Sequence, residues 1–235
     1  MKVFAISDLH LSLNGEKPMD IFGRDWKDYL DKIKQSWQEK VEENDVVLIC
    51  GDISWAMQLD DALLDVGYFS NFKGTKILIR GNHDYWWQGI TKIRQKLPKG
   101  IIALQNDAVK IGNVVFCGSR GWAVEGSPDF KEHDKKIYYR EVERFKLALK
   151  EAQKIRQDGD KLICLIHYPP FNARLENSLF TELFENFGVD KVVYGHLHGK
   201  DAKAYYKTNK NGIEYILSSC DLIENNLVEV HSNDD

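Results

Sequence analysis

Asp45-Val46-Val47-Leu48-Ile49-Cys50-Gly51-Asp52 is the stretch on which the fold turns. An apolar run with no polar interruption ends abruptly in a glycine and an aspartate. A strand with one wet face alternates apolar and polar side chains, so an unbroken run of this length marks a strand covered on both faces. The same design recurs outward in both directions. Residues 3–7 precede Asp8, Lys76-Ile77-Leu78-Ile79-Arg80 precedes Gly81, and Val114-Val115-Phe116-Cys117 precedes Gly118. Residues 162–166 precede His167, Asp190-Lys191-Val192-Val193-Tyr194 precedes Gly195, and residues 213–217 form the next run.

Helical patterns lie between these runs. From Trp26, the apolar positions Tyr29, Leu30, Ile33, Trp37 and Val41 step by threes and fours, with Asp25 as the expected N-cap. Tyr138, Val142, Phe145, Leu149, Ala152 and Ile155 repeat that spacing, and Asp158-Gly159 supplies a stop. Residues 60–72 and a shorter stretch from Leu179 to Phe187, closed by Gly188, complete the helical set. Alternation of strand and helix argues an α/β layered fold. No linker, repeat or low-complexity tract divides residues 1–235, so a single domain is expected. No helix separates residues 213–217 from residues 227–230, and those two runs are expected to pair antiparallel.

Composition narrows the functional classes. Apolar residues make up 43% of the 235, enough for a core, which excludes wholesale disorder. A balance of 32 basic against 36 acidic residues, net −4, argues against a basic coat for nucleic acid, but leaves room for a local anion site. No apolar run approaches the ~20 residues of a membrane helix, and the first apolar stretch is too short for a signal peptide, so a cytoplasmic protein is expected. Cys50, Cys117, Cys164 and Cys220 form no C-x-x-C pair and lie in or beside apolar runs, as buried reduced thiols do.

The chemistry-bearing residues gather at one place on this map. Asp8 and His10 follow the first run, Gly51-Asp52 the second, and Gly81-Asn82-His83-Asp84 the third. His167 follows the run at 162–166, and Gly195-His196-Leu197-His198 follows the next. Each segment taken alone reads as a turn or a chance pair. Together they place metal-type ligands at the carboxyl ends of several strands, the edge at which open α/β sheets bind ligands. The mixed nitrogen and oxygen donors suit Mn²⁺, Fe or Zn²⁺ rather than Ca²⁺ or Mg²⁺.

Asp8-x-His10, Gly51-Asp52, Gly81-Asn82-His83, His167 and Gly195-His196-x-His198 resemble, in order, the blocks of the calcineurin-like metallophosphoesterases. That resemblance spans residues 8–198. It implies a four-layer α/β/β/α sandwich, two mixed β-sheets face to face with helices outside. It also implies two divalent metal ions: one held by Asp8, His10, Asp52 and His198, the other by Asp52, Asn82, His167 and His196, with Asp52 bridging. A hydroxide shared by the two ions would be the nucleophile, since metal binding lowers the pKa of water toward about 7. His83, not a ligand in the resemblance, would assist the leaving group, with Asp84 orienting it or closing the turn.

The implied activity is a phosphohydrolase acting on a small phosphate ester, most readily a phosphodiester. A phosphomonoesterase, a nucleotide or nucleotide-sugar pyrophosphatase and a non-catalytic metal-binding module are the alternatives. Ile53-Ser54-Trp55-Ala56 after Asp52 departs from the Asp-Arg-Gly of the protein-phosphatase branch. Arg120 and Arg174 follow strand ends and are candidates to grip phosphate, with Trp122 a candidate substrate contact. Trp55, Tyr85, Trp86, Trp87 and Trp122 crowd the expected rim, where they would stack a base or fill space under loops. Residues 124–134 are a candidate lip over the site, and His133 and His231 are expected at the surface.

Overall fold

The fold follows from where the uninterrupted runs hide their side chains. A computed structural model describes residues 1–15, 17–199, 202 and 204–233. Its strands are β1 (Lys2–Ala5), β2 (Val46–Ile49), β3 (Thr75–Leu78), β4 (Ile101–Ala103), β5 (Asp107–Ile111) and β6 (Val114–Ser119). They continue with β7 (Lys161–Ile166), β8 (Lys191–Tyr194), β9 (Lys207–Lys210), β10 (Ile213–Leu217) and β11 (Val228–Ser232). The longer helices are α1 (Tyr29–Lys40), α2 (Leu59–Ser70), α3 (Ile90–Lys96), α4 (Lys135–Ile155) and α5 (Leu179–Asn186).

Two mixed sheets result. One has the order β11-β1-β2-β3-β4, the other β5-β6-β7-β8-β10-β9. In the first, β1 to β4 run parallel and β11 joins antiparallel; in the second, β6, β7, β8 and β10 run parallel between antiparallel edges. Alternate side chains of β2 show why the sequence does not alternate. Val46 and Leu48 face the second sheet, in a cluster with Phe116, Ile163, Leu165, Val193 and Ile216. Val47 and Ile49 face outward, packing with Ile33 and Trp37 of α1 and Val66 and Phe69 of α2. The outer face of the second sheet is covered in the same way by Phe145 and Leu149 of α4 and by Phe180 and Phe184 of α5. Helix, sheet, sheet and helix thus form four layers.

Several local expectations need correction. The runs at 213–217 and 227–230 do not pair with each other: β10 lies between β8 and β9, while β11 crosses to the other sheet and pairs with β1. Asp25 is not the N-cap of α1; it sits inside the 3₁₀ turn Arg24–Trp26, and α1 starts after Asp28, whose backbone is left-handed at φ 54°. His231 is only 4% exposed, because β11 lays it opposite Val3. Trp86 and Trp87 are core residues, packed with Ile93 of α3 and Ala103 of β4. Helix α3 and strands β4, β5 and β9 were not anticipated. All four cysteines are buried. Among the described residues, no helix is long and apolar enough to cross a membrane.

Candidate metal centre

The site is built by loops that leave parallel strands at one edge of both sheets. Asp8 and His10 follow β1, Asp52 follows β2, Asn82 and His83 follow β3, His167 follows β7, and His196 and His198 follow β8. The first two loops are zipped together by backbone bonds, Asp8 N–H to the Gly51 carbonyl and His10 N–H to the Asp52 carbonyl, both 3.0 Å. Asp8, His10, Asp52 and His196 all hold left-handed backbone, with φ of 59°, 45°, 50° and 72°. Such conformations cost ~1–3 kcal/mol each and persist where the surroundings over-determine them, as at functional sites. Two glycines allow the crowding: a Cβ on Gly81 would overlap the Asp52 carboxylate, and one on Gly195 would overlap that of Asp8. Asp84 closes the turn after β3, because its buried carboxylate accepts from the backbone N–H groups of Gly81, Ile53 and Ser54 and from the Trp86 indole.

The donor atoms meet in two groups. Asp8, His10, Asp52 and His198 form one, and Asp52, His167 and His196 the other, each within 4.8 Å of one another, with Asp52 common to both. Asn82 joins the second group, its Oδ1 lying 2.6 Å from His167 Nε2 and 2.8 Å from His196 Nδ1. His167 Nδ1 lies 2.8 Å from the Cys50 carbonyl, an acceptor only, so that nitrogen carries the ring proton. Nε2 then turns a lone pair toward the Asn82 oxygen and toward His196 Nδ1, 3.3 Å away. Across the site, His10 Nε2 faces His198 Nε2 at 3.2 Å. Lone pairs converging in a buried space call for a cation, and this donor set fits a pair of divalent ions.

Charge behaves accordingly. Burial raises Asp52, and the neighbouring Asp8 carboxylate raises it further, to about 7. Burial would raise Asp8 too, but the hydrogen bond and charge of His198, with His167 and His10, hold it well below the usual carboxylate range. Burial pushes His10 and His196 down to about 3, with other histidines adding to the effect. His198 goes the opposite way. Burial lowers it, yet hydrogen bonds to Asp221 and Asp8 outweigh that and carry it to about 10.

Asp221 was missed in the sequence. Its Oδ1 accepts from His198 Nδ1 and its Oδ2 from the Gly199 backbone, both at 2.9 Å. Carboxylates in this position fix the tautomer and orientation of a ligating imidazole. Ser219, also missed, donates to Asp8 Oδ2 at 2.8 Å. The available signal was the one that found the others, a polar residue just beyond an apolar run, here β10.

His83 stands beside the first group. Its ring is 5.6 Å from that of His10 and 4.6 Å from Trp55, and Trp55 stacks on His10 at 4.7 Å. The backbone N–H of His83 donates to Asp52 Oδ1 at 2.8 Å, while its buried Nδ1 has no hydrogen-bond partner among the described residues. Burial and the charges of His167 and His198 lower its pKa. Tyr85 is exposed. The candidate phosphate-gripping arginines are otherwise engaged. Arg120 lies over the Trp122 ring and 3.4 Å from buried Glu141, and Arg174 makes a two-point pair with Glu176. Trp122 itself packs on Tyr168, which in turn packs on His196 at 4.2 Å.

The family model described as calcineurin-like phosphoesterase matches residues 1–200, a span that contains every donor named above except Asp221 and Ser219. The chain belongs to the calcineurin-like phosphoesterase family. It is therefore a phosphoric ester hydrolase with a possible dinuclear divalent metal site. No curated protein matches this phosphoesterase. Solved structures that share its fold include three from bacteria. The protein TT1561 of Thermus thermophilus is 12% identical, with a TM-score of 0.59 and 97% of each chain covered. The phosphopantetheinyl hydrolase PptH of Mycobacterium tuberculosis is 13% identical, with a TM-score of 0.56 and coverage of 99% of this chain and 96% of that one. A protein of unknown function, AQ665 from Aquifex aeolicus, is 14% identical, with a TM-score of 0.51 and coverage of 97% of this chain and 95% of that one.

Proposed function

We propose that this phosphoesterase is a dinuclear-metal phosphodiesterase that hydrolyses a small phosphodiester. The observation that carries the reading is the meeting of both donor groups on Asp52, with a partner-free His83 Nδ1 beside them. Asp8, His10, Asp52 and His198 would hold one ion; Asp52, Asn82, His167 and His196 would hold the other. Mn²⁺, Fe and Zn²⁺ match these donors. When bound, the metal pair supplies Lewis acidity and a water acidic enough to lose its proton near pH 7.

The chain's own residues do the rest. Asp8 and Asp52 would present their carboxylates to the ions, and Asp221 and Ser219 hold His198 and Asp8 in position. The water oxygen bonds to phosphorus, the bond from phosphorus to the leaving ester oxygen breaks, and its electron pair stays on that oxygen. His83 gives that oxygen a proton. The anionic phosphoryl group favours the protonated imidazole, offsetting the burial that lowers its pKa. Arg120 and Arg174 are engaged by Glu141 and Glu176 and form no arginine clamp, which favours a substrate with one phosphoryl group. Turnover of bis-p-nitrophenyl phosphate by protein reloaded with Mn²⁺, Fe²⁺ or Zn²⁺ tests this. Release of p-nitrophenol with at least one metal is expected, and silence with all three overturns the reading.

A further inference from the structure

The donor cluster has two unlike sides. On one, loops of the five-stranded sheet bring His83, Trp55 and Tyr85 together. On the other, loops of the six-stranded sheet border a cavity of about 690 Å³ whose lining includes His196 and His198. Neither His83 nor Trp55 lines that cavity. Its size falls within the ~300–1,000 Å³ of pockets that enclose drug-sized ligands. A phosphoryl group alone would leave it almost entirely unfilled.

The walls describe the occupant. Tyr168, Phe171, Leu197 and Tyr205 supply aromatic and apolar surface, Tyr205 being 43% exposed and Tyr168 braced against His196. Among the described lining residues the charges are Arg174, which is neutralised by Glu176, and Asp129, besides the site's own histidines. Walls of this kind take an uncharged group with a planar ring rather than a second phosphate, since aromatic stacking contributes ~1–3 kcal/mol per base and needs no counter-charge.

We propose that this cavity holds the ester group that stays on phosphorus, a neutral, ring-bearing moiety of nucleoside size, while the departing ester oxygen lies on the His83 side. The natural substrate is then an unsymmetrical diester, and the product carries its monophosphate on the bulky group. This rests on the phosphodiesterase reading above. It adds which of the two ester groups the protein recognises and which it releases. Residues 126–129, part of the candidate lip, form one wall of the cavity.

Two substrates that release the same leaving group test the assignment. Metal-loaded protein is given p-nitrophenyl thymidine 5′-phosphate or methyl p-nitrophenyl phosphate, and p-nitrophenol is followed. The thymidine ester is expected to be favoured at least tenfold in kcat/KM. Ala173→Trp, at an exposed position on the cavity wall, should cut that preference about tenfold through KM, and Tyr205→Ala should weaken it in the same sense. Both changes lie at the surface, so the fold is not at stake. In parallel, calorimetry compares thymidine 5′-monophosphate with inorganic phosphate as ligands of the loaded protein. A preference near one that neither variant changes overturns the pocket while leaving the phosphodiesterase standing. Absence of turnover, with tighter nucleotide binding that Ala173→Trp abolishes, overturns the phosphodiesterase and keeps the pocket.

Discussion

At His198 two carboxylates act on one imidazole: Asp221 accepts from Nδ1 at 2.9 Å, and Asp8 lies 3.6 Å from Nε2. They raise the group from its ordinary 6.5 to about 10 despite burial. A raised histidine contributes stability that is complete below about pH 6.5 and is lost as pH rises through about 10. The melting temperature of the metal-free protein is therefore expected to fall between pH 7 and 10, and Asp221→Asn should flatten that fall. The same substitution should weaken metal binding ~10–100-fold, read by calorimetry, because the imidazole loses its orienting partner. His83 behaves differently. His83→Gln should lower kcat ~10²–10⁴-fold with metal content unchanged, as loss of a proton donor does; full activity in that variant would remove His83 from the chemistry. His83 and its neighbours at the donor site were legible because each lies just past an apolar run. Asp221 carries the same signal, lying just past β10, but it was missed because its partner, the imidazole of His198, is fixed only when the loops after β8 and β10 come together.

Among the elements, the central strands were the readable part. In β2 every side chain is buried, so hydrophobicity alone marks the strand. The edge strands β5 and β9 were not readable, for the converse reason. Strand β9 reads Lys-Thr-Asn-Lys and has no apolar signature, and β5 is half-buried along its whole length, its apolar residues broken by Lys110. Strand β11 was found but given the wrong partner, because local pattern does not say which sheet a strand will join. Two substitutions test the packing. Phe145→Ala removes a fully buried ring of α4 from the core under the second sheet and should cost ~3–5 kcal/mol in denaturant unfolding. Gly81→Ala drives a methyl group into the Asp52 carboxylate, so metal binding should be lost even where the far-ultraviolet spectrum shows a folded chain.

For the molecule as a whole, the donor set joins the two sheets. Asp8, His10, Asp52 and Asn82 come from loops of one, and His167, His196 and His198 from loops of the other. Backbone bonds already cross at this edge, Ser7 N–H to the Ser218 carbonyl at 2.7 Å and Cys220 N–H to the Ser7 carbonyl at 3.0 Å. Ions bound there favour the native state by mass action, ~2.7 kcal/mol at a hundredfold excess over Kd, so chelation should lower Tm and reloading restore it. The net charge of −4 is compatible with this arrangement, because the ions create a local positive focus in a mildly acidic protein. The layered fold was legible in the alternation of strand and helix, and the site in the polar residues just past the strand ends. The division of the molecule into two sides, His83 and Trp55 on one and a cavity on the other, emerges only when the sheets face each other. The most direct measurement is a titration of metal-free protein with Mn²⁺, following bis-p-nitrophenyl phosphate hydrolysis against ions bound per chain. Activity that rises to a plateau at two ions per chain and disappears on chelation is expected; a plateau at one ion, or hydrolysis that survives chelation, would contradict the dinuclear site.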